Sequence, residues 1–125
     1  MVSKEEEERL LERLLERILP FARITEEGEV IFERKDLTQA DRIALVLVAR
    51  YLGARLSKNI SQEVTLEELS GMSEVKRKVA ATRVSELSRE GLVDVVSRGR
   101  YKVRGLLAAE EIIRRLEEKY DVKPA

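Results

Sequence analysis

The order of local signals between residues 65 and 104 constrains the fold more than any other feature. Two amphipathic helical patterns follow each other, Gly91 comes after the second, and two apolar stretches then flank Arg98-Gly99-Arg100. Glycine readily adopts the left-handed backbone that ends helices, and apolar stretches on both sides of a glycine turn are typical of a β-hairpin. The sequence therefore predicts a helix, a turn, a second helix and a hairpin, in that order.

Apolar spacing in the same segment predicts one small core. Apolar residues recur every three or four positions, as on the inner face of a helix. This inner set consists of Leu66, Leu69, Val75, Ala80, Val84, Leu87 and Leu92. The side chains left outward on the second helix are Lys76, Arg77, Lys78 and Thr82. A helix with such a basic outer face is suited to binding a polyanion.

The charge of the chain is unevenly distributed. The 24 basic and 24 acidic side chains give a net charge of zero. Residues 73–104 nevertheless contain nine basic and four acidic side chains, whereas residues 1–37 contain seven basic and eleven acidic ones. A basic segment thus lies within an acidic frame, and the zero net charge does not exclude a nucleic-acid partner.

The residue types that are missing argue against an enzyme. The chain has no cysteine and no histidine, which excludes disulfides, zinc-finger ligands, thiol nucleophiles and the commonest general base. Glu33-Arg34-Lys35 has the Glu-x-Lys spacing of some metal-dependent nucleases, but chance suffices to explain it in so charged a chain, and a short exposed hairpin would not exclude water from a metal. We therefore expect no catalytic residues, no metal and no cofactor.

The overall composition indicates where the protein works. No apolar run has the length of a membrane span, and the start MVSKEEEERL is acidic where a secretory signal would be basic. We therefore expect a cytoplasmic protein that has no membrane partner. Charged residues reach 38%, with only one Asn and two Gln, a bias associated with proteins that work at high temperature. A thermophilic, archaeal source is predicted.

Helical and hairpin signals also occur on both sides of residues 65–104, and together they predict one domain spanning residues 1–125. Residues 1–37 predict a helix capped by Ser3, followed by a hairpin. Thr38 opens a strongly apolar helix, with which the segment 38–105 begins. Gly105 then ends the hairpin pattern, and residues 106–125 predict a C-terminal helix.

The two terminal helices have apolar stripes with two possible roles. The stripes include Leu10, Leu11, Leu14, Leu15, Ile18, Leu106, Ile112, Ile113 and Leu116. They either pack on the chain's own core or form the interface of a homodimer. A two-fold homodimer would place two basic helices about one turn of DNA apart. We expect the homodimer, because six large aliphatic residues between positions 10 and 19 are many for one small domain to cover.

Residues 38–105 resemble the winged helix-turn-helix family of DNA-binding regulators, particularly its compact archaeal members. Four consecutive segments match that family's layout. They are the short helix Leu66-Glu67-Glu68-Leu69, the turn Gly71-Met72-Ser73-Glu74-Val75, the recognition helix from Lys76 to Glu90 and the passage through Gly91 into the hairpin. The family often has Gly where Glu74 stands, followed by a small hydroxyl residue that caps the recognition helix. In this sequence Gly71 and Ser73 lie a few positions earlier, so the recognition helix begins either at Ser73 or near Lys76. The resemblance implies a mainly α fold with a small antiparallel β wing (α+β), here with added N- and C-terminal helices.

The predicted function is duplex-DNA binding, sequence-specific or general, by a transcriptional regulator. The major groove admits one α-helix, whose first turns face the base edges, and arginines at the hairpin tip suit a narrow minor groove. The predicted contacts are Lys76, Arg77, Lys78, Ala81, Thr82, Arg83, Arg98, Arg100, Lys102 and Arg104. The alternative is a protein-protein interaction module, in which the same fold is a subunit of a larger assembly.

Overall fold

A computed structural model describes residues 3–124, in which five helices and two small antiparallel sheets occur. The predicted mainly α composition with a small antiparallel β component is confirmed. The elements in chain order are α1 (Lys4–Ile18), β1 (Ala22–Ile24), β2 (Val30–Phe32), α2 (Gln39–Leu56), β3 (Val64–Thr65), α3 (Leu66–Ser73), α4 (Arg77–Arg89), β4 (Val93–Ser97), β5 (Arg100–Val103) and α5 (Leu106–Tyr120).

Helix α2 is the centre of the molecule. Every residue from Ile43 to Gly53 is buried, as expected of a helix that is apolar all round. The predicted cap at Thr38 is confirmed: the Asp41 amide donates to the Thr38 hydroxyl over 3.2 Å, and the Thr38 amide donates to the Asp41 carboxylate over 3.1 Å. All four other helices and both sheets pack against α2.

The terminal helices cover α2 with their apolar stripes. Leu11, Leu14 and Ile18 of α1 and Ile112, Ile113 and Leu116 of α5 are all buried in the chain's own core. The expectation that these six residues form a homodimer surface is corrected, because an amphipathic stripe buries itself equally well against its own chain. Leu10, Leu15 and Leu106 are only partly buried.

The turn between α3 and α4 lies later in the sequence than predicted. Helix α3 continues through Gly71 to Ser73, and Glu74 takes the left-handed conformation with φ of 56°. The Val75 amide then donates to the Ser70 carbonyl over 3.1 Å, which closes the helix end. Lys76 is the N-cap of α4, so the recognition helix of the prediction begins beside Lys76 and not at Ser73.

The second sheet contains a strand that the sequence did not predict. Its strand order is β3-β5-β4, with Thr65 opposite Arg100. The Leu66 amide donates to the Gly99 carbonyl over 3.0 Å. Gly91 and Gly99 both have positive φ, 79° and 75°, which agrees with the predicted helix stop and hairpin turn. The hydrogen bond to Leu66 attaches the tip of the β4–β5 hairpin to the start of α3.

Candidate nucleic-acid interface

Helix α4 has a buried face and an exposed face. Ala80 and Val84 are buried against the neighbouring helices. Spacings of three and four residues place four exposed side chains along the opposite face, as the 3.6-residue period requires. They are Lys78, Thr82, Ser85 and Arg89. Ser85 and Arg89 were absent from the predicted contacts, although helical periodicity from Lys78 would have identified both.

The first turn of α4 is strongly positive. Lys76, Arg77 and Lys78 are exposed, and no acidic residue lies in this turn. No side chain caps the helix, since Lys76 makes no capping hydrogen bond. Unpaired amides and the positive end of the helix dipole lie at the same place. This helix end therefore attracts an anion through its backbone and its side chains together.

The β4–β5 hairpin presents its basic residues on one face. Arg100 and Lys102 of β5, and Arg104 directly after it, alternate with Tyr101 and Val103, which lie on the inner face. Val103 is buried, whereas Arg100 and Arg104 are exposed. The basic side of β5 thus points away from the core.

The hairpin tip and the start of α3 lie together. Because Leu66 is hydrogen-bonded to Gly99, the exposed Arg98 and Arg100 flank the first residues of α3. Glu67, the next residue of α3, forms an ion pair with Arg77 of α4 over 3.0 Å. The Arg77 side chain of α4 and the hairpin tip therefore both lie beside the first residues of α3. We call this area, formed by residues 76–78, 98 and 100, the basic surface.

Two of the predicted arginines lie outside the basic surface. Arg83 lines a cleft of about 210 Å³ between α2, α4 and α5, where it pairs with Glu86 over 3.2 Å. Arg104 lies at the base of the hairpin and pairs with Asp94 over 2.8 Å. Arg104 is five positions along the chain from Gly99, about 16 Å of extended chain. Neither arginine is placed with the first turn of α4.

The other predicted contacts have mixed surroundings. Ala81 is partly buried against the core, and the Thr82 hydroxyl donates to the Lys78 carbonyl over 3.0 Å. Lys102 is half-buried, and its backbone lies opposite Asp94. Within residues 3–124, Lys76, Lys78, Arg98 and Lys102 form no ion pair with a carboxylate. Their positive charges are therefore open to an external anion.

Besides Glu86, which pairs with Arg83, three carboxylates from more distant positions compete for the predicted arginines. Glu67 pairs with Arg77, Glu63 approaches Arg100 within 3.9 Å and Asp94 pairs with Arg104. The sequence did not predict these pairs because their partners lie ten or more residues apart. Exposed pairs of this kind contribute little to stability, so a phosphate can replace the carboxylate.

Nothing in the described part of the chain resembles a metal centre, since no three acidic side chains cluster there. In the segment Glu33-Arg34-Lys35, Glu33 pairs with Arg23 and Arg34 pairs with Asp36. None of the helices formed by residues 3–124 combines the length and the apolar character of a membrane span.

The structure thus offers an exposed basic surface as the main chemical feature of the chain. No protein-family model matches the sequence, and neither a curated protein nor a solved structure is significantly similar to it.

Proposed function

We propose that this protein binds duplex DNA as a winged helix-turn-helix protein, with α4 as its recognition helix and the β4–β5 hairpin as its wing. The observation on which the proposal depends is the proximity of two basic groups, the first turn of α4 and the tip at Arg98 and Arg100, around the start of α3. The element order α2-β3-α3-α4-β4-β5 supports the same assignment.

The outward face of α4 fits the major groove. Lys78, Thr82 and Ser85 are exposed along it, and the groove admits a single helix whose N-terminal residues reach the base edges. Lys76 lies at the helix end, where it contacts a phosphate. Arg98 and Arg100 reach the adjacent backbone or a narrow minor groove. Phosphate contacts orient the protein, and the α4 side chains supply what sequence preference it has.

Transcriptional regulation is the role that follows from such binding. A protein of this size acts by occupying a site, and a two-fold homodimer would occupy two half-sites about one turn apart. The six core residues of α1 and α5 are not available for that dimer, so its surface would involve the partly exposed Leu10, Leu15 and Leu106 and the highly exposed Leu107, of which 85% is accessible.

Fluorescence anisotropy of a labelled random-sequence duplex tests the proposal. The intact protein should bind saturably at low salt, and a Lys78→Ala, Arg98→Ala variant should bind more weakly. The affinity of this variant should also depend less on salt, by about 0.9 log unit per tenfold change for each phosphate that the protein no longer neutralises. The matched control is Lys4→Ala, Lys123→Ala, which removes two exposed charges outside the basic surface. An equal decrease in affinity in both variants would contradict a localised interface.

The alternative function is a protein-interaction module. The observation in its favour is the exposure of Leu107 on α5 and of Val95 and Val96 on β4, because exposed aliphatic residues are common at protein interfaces. Absence of saturable DNA binding at low salt, together with a monomeric or aggregating solution state in place of a homodimer, would favour this alternative over the DNA-binding proposal.

A further inference from the structure

Two glutamates lie inside the basic surface. Glu67 on the first turn of α3 contacts Arg77 over 3.0 Å, and Glu63, just before β3, lies 3.9 Å from Arg100. Side-chain exposure is 67% for Glu67 and 68% for Arg77, so solvent reaches this pair freely. Each of the two carboxylates thus lies beside one arginine of the basic surface, Glu67 beside Arg77 and Glu63 beside Arg100.

The segment that contains both glutamates is firmly held. The buried Arg50 of α2 donates hydrogen bonds to the carbonyl of Ser61 over 2.8 Å, to the carbonyl of Glu63 over 3.1 Å and to the carboxylate of Glu68 over 2.7 Å. Thr65 and Glu68 form a reciprocal cap at the start of α3. The positions of Glu63 and Glu67 are therefore determined by the core and do not depend on a loose loop.

We propose that Glu63 and Glu67 are intramolecular competitors of DNA phosphate, which lower the affinity of the basic surface for the DNA backbone. This inference rests on the proposed DNA binding. In the free protein each glutamate carboxylate lies against the guanidinium group of one arginine, at the position where a DNA phosphate would bind. When DNA binds, Arg77 and Arg100 are shared between their carboxylates and phosphate, so each neutralises a phosphate only in part, and the two carboxylates face the negatively charged backbone.

The free energy of exchanging the glutamate carboxylate for a DNA phosphate at each arginine is only modestly favourable. An arginine binds phosphate through parallel charge-assisted hydrogen bonds, whereas an exposed ion pair contributes little. Repulsion between the displaced carboxylate and the DNA offsets part of the gain. Lys76, Lys78 and Arg98, which have no carboxylate to displace among the described residues, then account for most of the backbone affinity.

The test is a salt titration of DNA binding for the Glu63→Gln, Glu67→Gln variant. Glutamine keeps the shape of each side chain but removes its charge, and the cap formed by Glu68 stays intact. Affinity for a random-sequence duplex should rise on the order of fivefold for each carboxylate removed. The salt dependence should also steepen by up to about 0.9 log unit for each arginine freed to contact phosphate.

The matched control is Glu8→Gln, Glu12→Gln on α1, which removes two exposed carboxylates outside the basic surface. It should change affinity much less than the first variant. In an Arg77→Ala background, Glu67→Gln should no longer steepen the salt dependence, because no arginine is released. Unfolding temperatures of all variants are measured first, so that only folded proteins are compared.

The outcomes separate this inference from the proposed function. If the intact protein binds DNA and the double variant binds no more tightly than the Glu8, Glu12 control, the competitor role is overturned and DNA binding stands. If only the double variant binds, the competitor role is supported in its strongest form. If neither binds even at low salt, both proposals fail.

Discussion

Helices α4 and α5 are both amphipathic and both contain several basic residues, but these charges are used differently. On α5, Arg114 contacts Glu111 and Glu118, and Arg115 contacts Glu111 and Glu90. On α4, the exposed Lys78 has no carboxylate partner among the described residues. The arginines of α5 are therefore neutralised within the protein. At the start of α4, Arg77 is paired with Glu67, but Lys76 and Lys78 have no such partner among the described residues.

The pairing on α5 also changes how one carboxylate, that of Glu111, ionises. Hydrogen bonds from Arg114 and then Arg115 lower the pKa of Glu111 to about 2. This carboxylate therefore stays charged, and stays paired, throughout the pH range in which proteins usually work. The comparison teaches that the number of basic residues does not identify a polyanion-binding helix. What distinguishes α4, the proposed DNA-binding helix, is that Lys78 on its outward face lacks an internal partner among the described residues.

The largest effect should come from the buried face of α5. Ile113 is fully buried, and replacing it with alanine should lower the free energy of unfolding by about 2–5 kcal/mol, through reduced burial and a cavity. Urea denaturation measures this. Thr82→Ala on the exposed face of α4 is the comparison, with an expected change within about 0.5 kcal/mol. A small effect at Ile113 would mean that α5 is not part of the core.

Local patterns in the sequence predicted most helices and both hairpins, but one strand was missed. Helix α1, helix α2 and the stop at Gly91 depend on caps, apolar periodicity and glycine, which operate within a few residues. Strand β3 has only the two residues Val64 and Thr65. It exists because Tyr101 and Arg100 pair with it from far along the chain, and no local pattern contains that information.

The site was predicted less completely than the fold for the same physical reason. An apolar stripe such as Leu11, Leu14 and Ile18 must be buried, but periodicity does not say against which chain. Similarly, the charge pattern located Arg77 and Arg100 but could not show that Glu67 and Glu63 lie beside them. Contacts between distant segments decide both questions.

The second effect concerns the polar contact that joins α5 to α2. Burial opposes the ionisation of Asp41, but hydrogen bonds from Tyr120, Lys119 and Thr38 outweigh it and lower the pKa of the carboxyl. Replacing Asp41 with asparagine should cost about 2 kcal/mol at neutral pH, because hydrogen bonds to a charged group are removed. Chemical denaturation of both proteins measures the difference.

The pH dependence of that difference provides its control. A carboxyl whose pKa is lowered on folding stabilises the protein fully above its unfolded-state pKa of about 4. This contribution disappears as the pH falls further, through the lower folded-state value. The difference in free energy of unfolding between the unaltered protein and the Asp41→Asn variant should therefore become smaller below about pH 4. A gap that is constant from pH 7 to pH 2 would contradict the role of the charge.

The third effect is on binding and applies the comparison between the helices directly. Lys78→Glu on α4 should weaken binding to a random-sequence duplex at least about tenfold, since a phosphate contact is replaced by repulsion. Arg114→Glu makes the same charge change on α5 and should leave the affinity nearly unchanged. Anisotropy titrations of both variants at one salt concentration compare them. Equal weakening would mean that total charge, and not unpaired charge, determines binding.

The smallest effect should come from Glu111→Gln, which makes α5 more like α4. Arg114 and Arg115 each lose one partner but keep Glu118 and Glu90. Because exposed ion pairs contribute little and are screened by salt, the unfolding temperature should fall only slightly, and added salt should remove the difference. DNA affinity should not change, since both arginines remain paired. A gain in DNA affinity as large as that expected for Glu67→Gln would show that a second carboxylate partner does not keep an arginine from binding DNA. The difference between α4 and α5 would then depend on where the two helices lie in the fold and not on how their arginines are paired.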